Sequence, residues 1–431
     1  MNKSYFIYTY GCQMNVHESE KLAGILSGMG YIEAQDVSDA DIIVMNTCCV
    51  RETAETKVYG HLGRIKSQKK PGSVLAVCGC MTQQQGAADR LVKRCGFVDI
   101  VIGTFNQPRL CDYINEFLHT GTRIVEVWAS ENDGDCAETS NVKRSSGINA
   151  WVNIMYGCNN FCTYCIVPYV RGRERSRPID DIISDVDGLL SDGYKQITLL
   201  GQNVNSYSYK DKTFIDLLKS LESDKKYRLK FMTSHPKDVS PELASLMAQS
   251  KTLAKNLHLP VQSGSNRILS EMNRRYTREQ YFDKISRFKQ EMPDIGLSSD
   301  IMVGFPTETE EDFVQTLDLV ERVKYNNLFM FIYSRRSGTP ADKMPQLDYA
   351  TKQKRIDRLI KFQFEISKAV AAEKIGKVYE VLVSDKTDGK CYGKAENDIA
   401  ISFKSDTVNV GDFVSVKVAS AKNANLTGEV I

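Results

Sequence analysis

The chain has 431 residues, of which 42% are hydrophobic and 26% charged, and its 56 lysines and arginines nearly balance its 54 acidic residues. That length suits two to four domains at roughly 100–200 residues each, and the composition excludes disordered, collagen-like and membrane-bundle classes. No apolar run reaches the roughly 18–20 residues that span a bilayer, and the first residues lack a signal-peptide core, so we expect a cytoplasmic protein with no membrane partner.

The first zone, residues 1–125, alternates short apolar strands with helical stretches. Strands are predicted at residues 5–10, 41–45, 74–77 and 98–102. Strands spaced by helices are typical of βαβ units, so we predict an open parallel sheet in an α/β domain. Residues 126–149, largely polar and aperiodic, are predicted to be a linker.

A second alternating series occupies residues 150–375. Six strands are predicted there, separated by helices, at residues 151–156, 196–201, 228–234, 256–261, 297–305 and 328–334. Six βα units fit a partial (β/α)6 barrel better than a second small open sheet. A helix rich in lysine and arginine then leads out of this zone.

The last zone, residues 376–431, changes period. Five short strands separated by turn residues are predicted at residues 378–385, 391–397, 400–403, 412–418 and 426–431. Short strands with frequent turns are typical of small barrels, so we predict a small antiparallel β-barrel here.

Twelve cysteines are the unusual feature of the composition, and three of them lie within eight residues. Cys158, Cys162 and Cys165 form a C-x3-C-x2-C loop directly after the first strand of the middle zone. Thiolate ligands favour iron–sulfur clusters and zinc. A structural zinc site takes four ligands, and no further cysteine or histidine is near in sequence. The pattern favours a 4Fe–4S cluster with one open iron over zinc or buried core cysteines.

Cys12, Cys48 and Cys80 each follow a predicted strand of the first zone. Ligands gather at the carboxyl edge of an open parallel sheet, so we expect these three cysteines to converge there. The alternative is three unrelated buried cysteines. We interpret the remaining six as bystanders, and alternation places Cys78 inside its strand: Cys49, Cys78, Cys95, Cys111, Cys136 and Cys391.

The C-x3-C-x2-C loop after the first strand of a (β/α) barrel resembles the radical S-adenosylmethionine superfamily. In that superfamily the open iron chelates the cofactor, and an electron from the cluster cleaves it to a 5′-deoxyadenosyl radical. Across the whole chain, dense motifs resemble the methylthiotransferase family and most closely its MiaB-type branch, which modifies tRNA: TYGCQMN, NTC, GCM, RGRERSRP, LLGQNVNSY, TSHP, HLPVQSGS, SSDIMVGFPTET and SGTP.

The resemblance implies an enzyme that adds a methylthio group to C2 of an N6-isopentenyladenosine next to the tRNA anticodon. It implies two S-adenosylmethionine molecules and two 4Fe–4S clusters, the auxiliary one held by Cys12, Cys48 and Cys80 as source or carrier of the sulfur. It also implies a C-terminal TRAM-like RNA-binding domain, an electron donor such as flavodoxin or ferredoxin, a sulfur- or cluster-delivery protein, and a monomer. The implied cofactor contacts are Tyr164, Glu174, Gln202, Asn203, Gln262 and Asp300.

Several interpretations stay open. Four alternating arginines after the cluster loop could hold tRNA phosphates or the cofactor carboxylate, or could form a solvated loop: Arg171, Arg173, Arg175 and Arg177. Asp300 could instead be a satisfied buried carboxylate, and His235 and His258 are interpreted as structural. A rival activity is methylthiolation of a ribosomal-protein aspartate. A rival of another class is a non-catalytic iron–sulfur protein that binds RNA or transfers electrons.

Overall fold

The computed structural model describes residues 3–49, 52–130, 142–144 and 147–431. The chain divides into two compact units. The first comprises Met1–Ser146, Met155–Arg177 and Ser334–Asp342, and the second comprises Gly147–Ile154, Pro178–Tyr333 and Lys343–Ile431. Cys136 and most of the predicted linker lie outside the described residues.

The first unit is built on a six-stranded sheet. Its strands are β1 (Ser4–Thr9), β2 (Ile32–Glu33), β3 (Ile42–Thr47), β4 (Val74–Gly79), β5 (Ile100–Ile102) and β6 (Ile124–Glu126). All neighbours pair in parallel in the order β2-β1-β3-β4-β5-β6. The predicted open parallel sheet is confirmed. The two edge strands were not predicted, because their pairing with the sheet, rather than an apolar run of their own, makes them strands.

Helices cover both faces of this sheet. They are α1 (Gln13–Gly28), α2 (Glu52–Gln68), α3 (Ala87–Arg94) and α4 (Leu110–Thr120). Successive residues of a strand point to opposite faces. Ile42 and Val44 therefore pack in one apolar cluster, and Ile43 and Met45 pack in another. Burial on both faces explains why β3 and β4 are apolar throughout.

The middle of the chain contributes ten further strands. In chain order they are β7 (Asn149–Asn153), β8 (Met155–Tyr156), β9 (Arg175–Ser176), β10 (Gln196–Leu200), β11 (Ser208–Tyr209), β12 (Lys212–Thr213), β13 (Arg228–Phe231), β14 (Asn256–His258), β15 (Gly296–Val303) and β16 (Asn327–Ile332). The six predicted barrel strands form two parallel three-stranded sheets of the second unit, β13-β10-β7 and β14-β15-β16. A parallel bridge from Leu229 to Leu253 joins β13 to the segment before β14. The predicted partial (β/α)6 barrel is confirmed.

Helices alternate with these strands. They are α5 (Val167–Val170), α6 (Ile179–Ser191), α7 (Phe214–Ser220), α8 (Leu243–Gln249), α9 (Asn266–Glu271), α10 (Arg278–Glu291), α11 (Glu310–Val323) and α12 (Tyr349–Ala372). Side chains of Thr213, Thr277 and Thr309 cap α7, α10 and α11, each within a capping box. In the part of the chain that the structure describes, no helix is long and apolar enough to cross a membrane.

A closed five-stranded barrel ends the chain. Its strands are β17 (Val378–Thr387), β18 (Lys390–Ala395), β19 (Ala400–Lys404), β20 (Phe413–Lys422) and β21 (Asn425–Val430), in the order β17-β18-β19-β21-β20. The predicted small barrel is confirmed. One pairing, β19 with β21, is parallel rather than antiparallel. Directions cannot alternate around a ring with an odd number of strands, so one neighbouring pair must be parallel.

Asp294, just before β15, joins the two barrels of the second unit. Its carboxylate accepts hydrogen bonds from Lys374, from Lys377 at 3.0 Å and from the Tyr379 hydroxyl at 2.6 Å. Burial by itself would raise the pKa of Asp294, but the hydrogen bonds from these three side chains hold it below its ordinary value. Asn397 Nδ2 also donates to the Asp294 carbonyl oxygen at 3.1 Å. The carboxylate therefore stabilises the contact only while it is ionised.

Asp294→Asn is expected to lower the free energy of unfolding by about 2 kcal/mol at pH 7, because hydrogen bonds to a charged group are lost. The loss is no larger because about a third of the side chain is exposed to solvent, which screens its charge. Since the folded-state pKa is lowered, the wild-type advantage is present above the ordinary carboxyl pKa and disappears as pH falls through the lowered one. Denaturant unfolding of the wild type and the variant at pH 7 and at about pH 3 measures the difference in stability and its loss at acid pH. Asp283→Asn, at an exposed site on α10, is the control, and equal losses in the two variants would contradict the role of Asp294.

Candidate metal centres and cofactor site

Three cysteines of the first unit follow neighbouring strands of its sheet. β1, β3 and β4 lie side by side in parallel, so their carboxyl ends share one edge. Cys12 is the N-cap residue of α1, and Cys48 and Cys80 come directly after β3 and β4. Cys48 and Cys80 are buried, whereas Cys12 is exposed. The structure brings the three to one edge, as expected; that they hold a cluster stays a prediction.

Asn15, in the first turn of α1, ties together the loops that carry these cysteines. Its Nδ2 donates to the carbonyl oxygens of Tyr10 at 2.8 Å and Thr47 at 3.0 Å. Asn46 Nδ2 donates in turn to the Asn15 carbonyl oxygen at 2.9 Å. The Cys80 amide donates to the same Thr47 carbonyl oxygen at 3.0 Å. Because Asn15 is buried, water competes little for these bonds, and the three loops are held together.

Gly11 leaves space that the Cys48 side chain occupies. Its φ is +107°, a left-handed conformation that favours glycine. A Cβ at Gly11 would lie 2.5 Å from both Cβ and Sγ of Cys48. The close approach of these two loops therefore depends on the absence of a side chain.

Gly11→Ala is expected to cost roughly half of the bound iron, the share of one 4Fe–4S cluster out of two, because the Cys48 thiol must move. The control is Gly30→Ala, which has a φ of +85° and no heavy atom within 4 Å of the added Cβ. Both variants carry left-handed strain, so their difference isolates the crowding of Cys48. Iron per chain after anaerobic reconstitution is the measurement. Equal iron in the two variants would contradict a ligand role for Cys48.

The Cys80 thiol is surrounded by groups that favour its thiolate. A hydrogen bond from Cys49 lowers the pKa of Cys80, burial acts in the opposite direction, and the nearby positive charge of Arg171 lowers it further. The net result is a pKa below that of an ordinary thiol. A thiol must be deprotonated before it ligates a metal, so this environment suits a ligand.

Cys49 is more than the bystander that we predicted. It lies in a small buried cluster with Cys80, Ile166 and Val170. The signal in the sequence was its position directly after Cys48 at a strand end. Cys78 does lie inside β4, and burial raises its pKa to about 12. The other described cysteines lie elsewhere: Cys95 and Cys391 are buried in apolar clusters, and Cys111 is partly exposed on α4.

The four arginines of the RGRERSR segment do not form one group. Arg171 Nη2 donates to Asn15 Oδ1 at 2.8 Å, and its charge interacts with Cys80, Glu18 and Cys12. Arg173 is exposed, with its guanidinium carbon 4.3 Å from the centre of the Phe161 ring. Arg175 lies over Phe105, and Arg177 is buried. Arg171 therefore contacts the first turn of α1 in the N-terminal domain. Binding of tRNA phosphates or of the cofactor carboxylate by this segment stays a prediction.

The second set of cysteines lies on the loop between β8 and α5, also in the first unit. β8 pairs antiparallel with β9, which draws the two ends of this segment together. Cys158 and Cys162 are buried and Cys165 is partly exposed. The Cys165 amide donates to the Cys162 carbonyl oxygen at 2.9 Å, so the second half of the motif is a tight turn.

The start of this loop requires a glycine. Gly157 has a φ of +76°, and a Cβ there would lie 2.0 Å from the Arg173 carbonyl oxygen. The next residue, Cys158, donates its amide to the Gly172 carbonyl oxygen at 3.2 Å. Burial raises the pKa of Cys158, and the nearby Cys162 and Glu174 also raise it. The Cys158 thiol therefore lies close to the Cys162 thiol of the same motif.

Two of the predicted cofactor contacts lie on the same segment. Tyr164 is partly buried between Cys162 and Cys165 in sequence. The Glu174 amide donates to Asn159 Oδ1 at 3.3 Å, a contact that says nothing about cofactor binding. Its carboxylate lies near Cys158. Both residues belong to the cluster loop, and their contact with a cofactor stays a prediction.

Each set of three thiols has donor chemistry that suits an iron–sulfur cluster. Among the residues that the structure describes, no three cysteine, histidine, aspartate or glutamate side chains are arranged to hold a single metal ion as they stand. The fit therefore rests on the donor types and on the close loops around Gly11 and Gly157, which a Cβ would disrupt. Cys12, Cys48 and Cys80 would hold one cluster, and Cys158, Cys162 and Cys165 the other.

The other predicted cofactor contacts lie in the second unit, near the carboxyl ends of its strands. Gln202 and Asn203 follow β10. Asn203 has both amide atoms engaged: its Nδ2 donates to Asp238 at 2.7 Å, and its Oδ1 accepts from the His235 amide at 3.0 Å. Asn203 thus braces the loop after β13, and a direct cofactor contact from its amide would compete with these bonds.

Gln262 and Asp300 are linked through the backbone. Gln262 has a φ of +70°, and its amide donates to the Asp300 carbonyl oxygen at 2.9 Å while its own carbonyl accepts from Met302 at 3.0 Å. Asp300 lies within β15, and its Oδ1 is 3.6 Å from His258 Nε2. A non-glycine residue held at positive φ beside a strand is a feature that often marks a ligand site.

Four buried polar atoms at the ends of β10 and β13 have no hydrogen-bond partner in the described part of the chain: Gln202 Oε1, Asn205 Oδ1, Ser234 Oγ and His235 Nε2. The two loops touch, because the Val204 amide donates to the Thr233 carbonyl oxygen at 3.0 Å. Unpaired buried polar atoms are costly unless a ligand or water meets them. This group fits a polar cofactor. The sequence interpretation did not predict Asn205, Ser234 or His235 as cofactor contacts, although they lie in the motifs LLGQNVNSY and TSHP.

His235 is a neutral imidazole. Burial, followed by the charges of Arg274 and Lys237, lowers its pKa to about 2. Its Nδ1 accepts a hydrogen bond from the Lys237 amide at 3.2 Å, so Nε2 carries the proton. His235 therefore offers a buried N–H donor rather than a positive charge.

Family models match most of the chain. The model described as "Uncharacterized protein family UPF0004" matches residues 4–103, the Radical SAM superfamily matches residues 152–320, and the TRAM domain matches residues 372–431. Similar proteins named tRNA-2-methylthio-N(6)-dimethylallyladenosine synthase come from Acetivibrio thermocellus, 46% identical over 100% of this chain and 91% of that protein, and from Clostridium perfringens strain 13, 48% identical over 100% and 98%. A third from Carboxydothermus hydrogenoformans is 45% identical over 100% and 99%.

Solved structures share the fold. A radical S-adenosylmethionine methyltransferase, TsrM from Kitasatospora setae, superposes with a TM-score of 0.59 at 13% identity, over 79% of this chain and 74% of that one. The cobalamin-dependent radical enzyme OxsB superposes with a TM-score of 0.53 at 13% identity, over 85% of this chain and 56% of that one. At such low identity these likenesses concern the fold alone.

Proposed function

The chain belongs to the family of tRNA-2-methylthio-N(6)-dimethylallyladenosine synthases, and from this membership we propose that it adds a methylthio group to C2 of N6-isopentenyladenosine next to the tRNA anticodon. It is a radical S-adenosylmethionine methylthiotransferase. We further propose that it uses two 4Fe–4S clusters and two molecules of S-adenosylmethionine, one to methylate the sulfur and one to generate the radical.

One structural observation carries the two-cluster proposal. Both three-cysteine sets lie in loops of the same compact unit, which joins the N-terminal sheet with the segment Met155–Arg177. If the two cysteine sets were unrelated structural metal sites, the segment Met155–Arg177 would have no need to pack with the N-terminal sheet instead of with the barrel strands. A reaction that needs both a radical and a sulfur donor does give one.

The rival functions find less support. The three relatives described above carry names that refer to tRNA, and the C-terminal residues match the TRAM domain. A ribosomal-protein substrate has no comparable observation in its favour. A non-catalytic iron–sulfur protein would not need the buried, unpartnered polar atoms at the ends of β10 and β13.

When bound, the cluster on the C-x3-C-x2-C loop supplies the electron that cleaves S-adenosylmethionine, chemistry beyond the reach of side-chain acids and bases. The protein's part is to hold and orient. Cys158, Cys162 and Cys165 would ligate that cluster. Within the second unit, Gln202 Oε1 and the neutral His235 Nε2 offer an acceptor and a donor to a polar ligand. Phe161 and Tyr164 on the same loop would limit the access of water.

The C-terminal barrel offers a surface for RNA. Along β18 the side chains alternate, with Cys391 and Ala395 buried and Tyr392 exposed. Lys390 Nζ lies 5.0 Å from the centre of the Tyr392 ring. Exposed aromatic rings stack on bases and lysine pairs with phosphate, and an anticodon loop presents unpaired bases without melting a duplex. We propose that this face contacts the tRNA.

Other partners follow from the reaction. The radical step consumes an electron, so we propose a reduced flavodoxin or ferredoxin as the donor. Each turnover consumes sulfur, so a sulfur- or cluster-delivery protein must restore the auxiliary cluster. We propose that the enzyme works as a monomer in the cytoplasm, where its tRNA substrate is found.

The function is tested with anaerobically reconstituted protein, reductant, S-adenosylmethionine and an isopentenylated anticodon stem-loop. We expect about eight iron atoms per chain, four for each cluster, together with 5′-deoxyadenosine and the methylthiolated nucleoside. In a parallel reaction, ribosomal protein is supplied as the substrate in place of the stem-loop. Methylthio incorporation into protein and not into RNA would reject the proposed substrate, and loss of both products from fully loaded enzyme would reject the activity.

A further inference from the structure

Arg171 belongs to the segment of the C-x3-C-x2-C loop but contacts the other cysteine set. It directly follows α5, the short helix after Cys165. Its Nη2 donates to Asn15 Oδ1 at 2.8 Å, a contact between residues 156 positions apart. Asn15 is the residue that ties the loops of Cys12 and Cys48 together. One end of the loop segment is therefore attached to the core of the N-terminal site.

The charge of Arg171 faces the thiols of that site. Its guanidinium hydrogen-bonds the Cys80 side chain and interacts with Cys12. Glu18 is the other charged group that faces it, and the Glu18 carboxylate is also 3.4 Å from Lys21 Nζ. Three thiolates on a 4Fe–4S cluster carry net negative charge, and a buried anion requires a nearby cation or hydrogen-bond donors. Arg171 supplies both.

α5 is packed in place by the same site. Its residue Val170, together with Ile166, forms a buried cluster with Cys49 and Cys80. The Thr104 hydroxyl donates to the Val170 carbonyl oxygen at 2.6 Å. The backbone that carries Arg171 is thus fixed against the sheet, so the guanidinium reaches Cys80 from an ordered position.

We propose that Arg171 is a positioning residue of the auxiliary cluster, whose guanidinium hydrogen-bonds the Cys80 thiolate, neutralises part of the cluster's charge and anchors the radical-cluster loop beside it. The proposal rests on the two-cluster part of the proposed function. Hydrogen bonds and positive charge near cluster sulfurs favour the reduced state, which carries one more negative charge. Arg171 therefore raises the reduction potential of the auxiliary cluster.

The test uses the full chain with Cys158, Cys162 and Cys165 replaced by alanine, so that only the auxiliary cluster remains. Arg171→Gln is added, and the midpoint potential is measured by redox titration with electron paramagnetic resonance. We expect roughly a tenfold lower ratio of reduced to oxidised cluster at fixed potential, which for one electron is about 59 mV. Arg171→Lys keeps the charge and should recover part of this shift.

Arg173→Gln is the matched control, since it removes a neighbouring arginine that is exposed and stacks on Phe161 instead. Its potential should equal that of the parent. An unchanged potential in Arg171→Gln would overturn the proposal. If Arg171→Gln retains no cluster, iron per chain becomes the measurement. Recovery of iron by Arg171→Lys then supports the proposal, and equal iron loss in Arg171→Lys and Arg173→Gln overturns it. Because this background cannot turn over, failure of the tRNA reaction in the unmodified enzyme is a separate result.

Discussion

Cys80→Ala is expected to halve the bound iron, from about eight to about four atoms per chain, and to abolish methylthiolation while cleavage of S-adenosylmethionine continues. Cys80 follows β4 at the sheet edge shared with Cys12 and Cys48, and its thiolate is favoured by Cys49 and Arg171. Without it the auxiliary cluster loses one of three ligands, and the sulfur donor is lost. The radical loop is untouched, so 5′-deoxyadenosine should still form.

Cys78→Ala is the matched control, because Cys78 lies two residues earlier but inside β4, fully buried, with a pKa raised to about 12 by burial. It should keep about eight iron atoms per chain, since both ligand sets remain. Iron, 5′-deoxyadenosine and methylthiolated nucleoside are measured on the same preparations. Retention of all iron by Cys80→Ala, or equal losses in the two variants, would show that Cys80 is not a ligand.

Cys162→Ala is expected to stop cleavage of S-adenosylmethionine, lowering turnover to below roughly one-thousandth of the wild-type rate because the cofactor chemistry has no side-chain substitute. Cys162 lies buried at the centre of the C-x3-C-x2-C loop, close to Cys158 and hydrogen-bonded through its backbone to Cys165. Neither 5′-deoxyadenosine nor the methylthiolated nucleoside should form.

The auxiliary cluster provides the internal check on this variant. Cys162→Ala should retain about four iron atoms per chain, those of the remaining cluster. Cys111→Ala, at a partly exposed position on α4, is the control that should keep both products. Formation of 5′-deoxyadenosine at the wild-type rate by Cys162→Ala would reject the assignment of the radical cluster to this loop.

The cysteine positions were predictable because they depend on local pattern. Cys12, Cys48 and Cys80 follow apolar strands that any period-based interpretation finds, and parallel strands put their carboxyl ends at one edge. Cys158, Cys162 and Cys165 are close in sequence and must be close in space. The strands β2 and β6 escaped prediction because their pairing with the sheet, and not their own few residues, makes them strands.

Long-range contacts were not predictable in the same way. Arg171 looked like one of four equivalent arginines, yet it alone among them donates to Asn15 in the hydrogen bonds described. Asn203 looked like a cofactor contact, yet its amide is engaged by Asp238 and His235. In both cases the partner lies more than thirty positions away, and sequence periodicity carries no information about such pairs.

The amino-acid sequence by itself determined the α/β fold class, the spacing of the two sets of three cysteines and the family resemblance, because these follow from periodicity, spacing and motifs within short windows. Only the tertiary structure decided that Cys49 adjoins Cys80, that Arg171 reaches the N-terminal site, and that buried polar atoms remain unpaired at the ends of β10 and β13. The physical reason is that burial and hydrogen-bond pairing depend on which distant segments pack together. The two sets of three cysteines could be proposed from the sequence, but the side chains that surround them could not.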